Sequence, residues 1–108
     1  MYMLQFKPCR VIQSYKIEDN RAYIIGFNHV VELNSVSAVF WDMANGKNTV
    51  EQIIKRIVNV FDISDEDKVY DDICRLMEML NQEGILIKNW DPLYKDKVGV
   101  LYEKNESL

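Results

Sequence analysis

The stretch His29-Val-Val-Glu-Leu-Asn-Ser-Val-Ser-Ala-Val-Phe-Trp-Asp-Met43 decides the fold, because the period of its apolar residues changes midway. His29 to Leu33 is short and rich in β-branched residues, which suits a strand. From there Val36, Val39, Phe40 and Met43 fall at i, i+3, i+4 and i+7, the spacing of one helix face. Asn34 or Ser35 can accept from the first free N–H groups of that helix, and Asn45-Gly46 stops it.

Upstream, the chain reads as extended. Arg10-Val-Ile-Gln-Ser-Tyr-Lys-Ile17 places Val11, Tyr15 and Ile17 on one face at period two. The polar cluster Glu18-Asp-Asn-Arg21 makes a tight connection to a second strand, Ala22–Ile25, and Gly26-Phe-Asn28 turns into the third, His29–Leu33. Short connections make the three strands an antiparallel meander.

Downstream, two more helices are expected. Thr49-Val-Glu-Gln52 is a capping box, followed by the stripe Val50, Ile53, Ile54, Ile57, Val58 and Phe61. The third helix opens at Ser64, with Asp65, Glu66 and Asp67 against the positive end of its dipole. Its main stripe is Val69, Ile73, Leu76 and Leu80, and Gly84 is its C-terminal cap. Ile85–Ile87 is an extended exit, and Val98–Tyr102 in the tail has strand character. The expected fold class is α+β, a small winged-helix-like domain in the order β-β-β-α-α-α.

Composition narrows the function. The 108 residues make one domain. Thirteen Lys and Arg against 17 Asp and Glu give a net charge of −4, so nucleic acid and anionic membranes, which favour basic surfaces, are not expected partners. No apolar run approaches the roughly 18 residues that span a bilayer. The start, Met1 to Pro8, has no charged region ahead of an apolar stretch and no small-residue cleavage site, so a cytoplasmic location is expected.

Chemistry-bearing motifs are missing. Cys9 and Cys74 are far apart, and with His29 they are too few for a structural zinc site, so both are read as free thiols and no metal or cofactor is expected. A Cys–His catalytic pair has no flanking signature, and no Gly-rich phosphate loop, HExxH or GxSxG occurs. The chain reads as a binding module without catalytic residues.

Two features of the third helix bear on what is bound. Beside the main stripe runs a less apolar row, Tyr70, Cys74 and Met77, continued by Asn81. It reads either as part of a wide core-facing surface or as the wall of a shallow apolar groove, where Met and Tyr suit an adaptable peptide contact. The second feature is charge. Asp65 to Glu83 holds seven acids against Lys68 and Arg75, a net of −5, mostly a solvated helix face.

Three segments together resemble the PqqD-like family: Val30–Ala38, then Asn45-Gly-Lys-Asn-Thr-Val-Glu-Gln-Ile53, then Asp71-Asp-Ile73 through Leu80-Asn-Gln-Glu-Gly-Ile-Leu86. They occur in the family's order and separation, over about Arg10–Lys88. Asn45 stands where the family commonly has Asp before the Gly, and the core Ala positions are partly replaced. The resemblance implies a recognition element for ribosomally synthesised and post-translationally modified peptides. Such a protein binds the leader of a precursor peptide and presents it to a modifying enzyme, often a radical SAM protein, a protease or a cyclase. The leader adds as an antiparallel strand to the edge of strand three and lies against helix three, here His29–Leu33 and Lys68–Asn81.

On this mapping the peptide-binding residues are His29, Val30, Val31, Glu32 and Leu33 on the edge, with Tyr70, Ile73, Cys74 and Met77 flooring pockets. Glu32 and the helix acids would favour a leader carrying Lys or Arg. His29 is either a turn residue or a leader contact whose protonation weakens binding below about pH 6.5. The expected organisation is a peptide-recognition domain at 1–88 and a tail at 89–108, as a monomer or homodimer. The rival reading is a winged-helix-type DNA-binding transcription regulator. A last helix of net charge −5 would be repelled by the phosphate backbone, which counts against it. A third reading is a dimeric structural subunit in which the Tyr94–Tyr102 region pairs between chains.

Overall fold

The computed structural model describes residues 2–11, 14–25 and 30–90. A three-stranded antiparallel sheet is followed by three helices, an α+β fold. After a 3-10 turn at Tyr2–Gln5, the elements are β1 (Cys9–Arg10), β2 (Tyr15–Glu18), β3 (Arg21–Ile25), β4 (Val30–Leu33), α1 (Ser35–Met43), α2 (Val50–Phe61), α3 (Glu66–Gln82) and β5 (Leu86–Ile87). The sheet order is β2-β3-β4, with β3 in the middle and both other strands at edges. Asp19 and Asn20 connect β2 to β3 with φ of 53° and 63°, the two left-handed positions of a tight hairpin turn, which Asp and Asn tolerate.

The expected first strand, Arg10–Ile17, is two strands serving different sheets. Cys9 and Arg10 pair with Ile87 and Leu86 in a separate two-stranded ribbon, and Val11 is exposed. The long-range bonds explain the split. The Arg10 N–H donates to the Ala44 carbonyl at 2.8 Å and the Val11 N–H to the Ile85 carbonyl at 2.9 Å. This piece of chain ties the end of α1 to the end of α3, so Val11 stays out of the meander, while Tyr15 and Ile17 enter it in β2.

The helix ends follow local chemistry. Asn34 caps α1, its side chain accepting from the Ser37 N–H at 2.9 Å. At α2 both halves of the capping box form: the Gln52 N–H donates to Thr49 Oγ1 at 3.1 Å, and the Thr49 N–H donates to Gln52 Oε1 at 2.8 Å. Replacing Thr49 by Ala should cost about 1 kcal/mol of stability, read as a lower urea midpoint at unchanged slope. For α3 the cap is Asp65, one residue past Ser64, accepting from the Lys68 N–H. Gly46 at φ +80° is needed for space as well: an added Cβ would lie 2.8 Å from Trp90 Cδ1.

The core lies between the inner face of the sheet and the three helices. Ala22, Ile24 and Leu33 come from the sheet, with Phe40, Trp41, Ile53, Ile57, Ile73 and Met77 among the helical contributions. In α1 the buried side chains are Ala38, Phe40 and Trp41, while Val36, Val39 and Met43 are half-buried. The buried axis is thus turned from the expected stripe toward Trp41, whose ring packs edge-on to Tyr15 at 5.9 Å.

Candidate functional site

The free edge of β4 follows from hydrogen-bond alternation. The Ile25 N–H donates to the Ser14 carbonyl at 3.1 Å, so residues 21, 23 and 25 of β3 face β2, while Ala22 and Ile24 face β4. Their partners Leu33 and Val31 close the ladder. The backbone N–H and C=O groups of Val30 and Glu32 therefore point away from the sheet, as an edge with no pairing strand among the described residues. Their side chains stand on the outer face, both exposed. Val31 and Leu33 turn inward, Leu33 fully into the core.

At the C-terminal end of β4 an apolar cavity of about 280 Å³ opens between α1 and α3. Val36, Ile63, Val69, Ile73 and Leu76 line it, with Asn34, Ser37 and Asp72 as its polar groups. No residue of β3 takes part. The trough begins at Asn34, the residue that follows β4, and so lies at the C-terminal end of that edge.

The structure places the four expected pocket residues of α3 on different sides of the helix. Ile73 does line this trough, buried at 2% exposure. Tyr70 and Cys74 do not; they lie on the opposite shoulder of α3. Tyr70 shares a hollow with Leu4 and Ile54, and its hydroxyl accepts from the Met3 N–H at 3.2 Å. Cys74 shares another with Met3 and Met79. Met77 has no exposed surface and belongs to the core. At about 100° per residue, the buried axis runs through Val69, Ile73, Met77 and Leu80, leaving Leu76 and Asp72 on one flank and Tyr70 and Cys74 on the other. The N-terminal turn covers the second flank. Val36 and Leu76 also line the trough; both belong to apolar stripes that the sequence assigns to the core, so nothing in the sequence marked them for a surface. His29 lies outside the described residues, as does Val98–Tyr102.

Several acids of β4 and α3 are already engaged. Glu32 pairs with Arg21 at 2.7 Å across the hairpin, Glu66 with Lys55 at 2.9 Å, and Glu78 with Lys88 at 2.7 Å. Asp72 accepts from both Arg75 and Lys68, and the Arg75 contact chiefly holds its carboxyl below the usual range. Asp67 and Asp71 have no ion-pair partner among the described residues. These exposed pairs are individually worth little, so they leave α3 a weakly screened acidic face rather than a charged clamp.

Both cysteines are free and half-buried. Among the described residues no group of three His, Cys, Asp or Glu could hold a metal ion, and no helix is long and apolar enough to cross a membrane.

The chain matches no curated protein and no solved structure. A family model described as coenzyme PQQ synthesis protein D (PqqD) matches residues 15–86, from the first residue of β2 into β5. That span holds the whole meander, all three helices, the β4 edge and the trough beside α3, and over it the chain belongs to the PqqD family.

Proposed function

We propose that this protein is a peptide-binding accessory of PQQ-type or related ribosomal-peptide biosynthesis, without catalytic residues of its own. It takes the leader of a precursor peptide as an added strand on β4 and presents it to a modifying enzyme. The observation that carries the reading is the unpaired edge at Val30 and Glu32 running into the apolar trough of Val36, Ile73 and Leu76. Main-chain bonds from the edge supply affinity for an extended peptide, and the trough selects an apolar side chain at its end. Residues 1–88 form the recognition unit, and 89–108 are a tail.

The trough side of α3, rather than its Tyr70 side, is the peptide contact in this reading. Calorimetric titration with the leader peptides encoded beside the gene tests it. One leader should bind, and Leu76→Glu should weaken it at least tenfold while the circular dichroism spectrum is unchanged. Cys74→Ser, on the other flank, should leave affinity within about twofold. Equal binding by wild type and Leu76→Glu would remove the trough from the site. Failure of every leader to bind a folded sample would sink the function itself.

A further inference from the structure

The sheet has a second edge. The alternation that turns Val30 and Glu32 outward on β4 also leaves the backbone groups of Tyr15 and Ile17 unpaired on β2 among the described residues, because Lys16 and Glu18 are the residues bonded to β3. Ile17 sits on the inner face of the sheet yet is 51% exposed. It looks into a cavity of about 550 Å³ between β2, α1 and α2. Val39, Met43 and Phe61 line this cavity, with Val60, itself 50% exposed, at the rim. It is the larger of the two edge cavities and shares no residue with the β4 trough, α1 forming the wall between them.

Charge says what would fill it. Arg56 lines the cavity and has neither a carboxylate nor a hydrogen-bond partner among the described residues. The one acid in the lining, Asp42, is already engaged. Its Oδ1 accepts from the Tyr15 hydroxyl at 3.0 Å, and its carbonyl accepts from Arg10 Nη1 at 2.6 Å. Burial chiefly, and then this bond to Asp42, raise the Tyr15 pKa above its ordinary value, so the hydroxyl stays a donor to Asp42 at neutral pH.

We propose that β2 is a second strand-addition site, taking an extended segment of a partner protein with a bulky apolar residue over the cavity and a carboxylate two residues on, against Arg56. The open edge calls for an extended segment, and period two places alternate side chains over the cavity. The unpartnered guanidinium calls for an acid. A second copy of this chain fits less well, because the inner face of β2 offers only Tyr15 and Ile17 and no carboxylate. This site is independent of the leader reading, since it uses neither β4 nor α3.

The test is a titration of the ¹⁵N-labelled protein with acetylated seven-residue peptides. They carry Phe, Leu and Glu at alternate positions with Thr between, or Lys in place of Glu. The Glu peptide should shift amides of β2, α1 and α2 while leaving α3 unmoved, and the Lys peptide should bind at least fivefold more weakly. Arg56→Glu should reverse that preference. Ile17→Pro removes an outward N–H, a change tolerated at edge strands, together with an apolar side chain of the cavity, and should abolish binding; Val60→Glu at the exposed rim does the same without touching the backbone. Equal affinity for the two peptides, shifts confined to β4 and α3, or binding that survives both variants would overturn the proposal. So would self-association through β2 that excludes the peptide, seen by sedimentation. Leader binding at β4 can fail while the β2 shifts persist, or the reverse, so the two readings are separable.

Discussion

Replacing Met77 by Glu should leave the protein unfolded in water at room temperature. Met77 has no exposed surface and lies in one contiguous core with Ile73 and Leu80. Among the described residues that core contains no buried polar or charged residue to receive a carboxylate. Burying an unpaired carboxylate costs several kcal/mol even after relaxation or protonation, and losing the Met packing adds roughly 2–5 kcal/mol. Together these match the whole stability of an ordinary domain, about 5–15 kcal/mol. Far-UV circular dichroism of the purified variant checks it, with Met77→Leu, which conserves volume and should cost under about 1.5 kcal/mol, as the control. A folded Met77→Glu protein that had merely lost peptide affinity would put Met77 in a groove instead.

Trp41→Ala should be the next most damaging change, at about 3–5 kcal/mol. The indole has no exposed surface and is the largest fully buried side chain among the described residues. It fills the space between α1 and the sheet and meets Tyr15 edge-on, an arrangement worth about 0.5–1.5 kcal/mol beyond its area. For a domain of this size that loss should lower the melting temperature by roughly 12–30 °C. A thermal melt followed by near-ultraviolet circular dichroism measures it. A drop of only a few degrees would mean that α1 closes over the cavity and that the core is less tightly packed than the structure has it.

Much of the fold is local enough to read from the chain. The β2–β3–β4 meander, the Thr49–Gln52 capping box and the α2 stripe of Val50, Ile53, Ile54 and Ile57 all rest on contacts within a few residues. The resemblance to the PqqD family also rests on such segments, Val30–Ala38, Asn45–Ile53 and Asp71–Leu86, and the family match spans residues 15–86. The misreadings have another character. Arg10 and Val11 look like the start of a strand, yet they bond to Ala44 and Ile85, far along the chain.

The candidate site shows the same division within a single helix. Helical periodicity by itself determines that α3 buries one side, and it brings Val69, Ile73 and Leu80 into the core. It does not distinguish the two flanks, because Leu76 on one and Tyr70 with Cys74 on the other are comparably apolar neighbours of the same axis. The tertiary structure decides it: Met3, from the far end of the chain, covers Tyr70 and Cys74, and the end of β4 leaves Leu76 open beside Val36. The strands behave alike. Alternation and short connections determine which residues of β2 and β4 face inward and that β3 lies between them, and only the packing of the helices opens a cavity beside each edge. Periodicity is a property of neighbouring residues, and covering a flank or an edge is a property of segments remote in sequence, which no local pattern encodes.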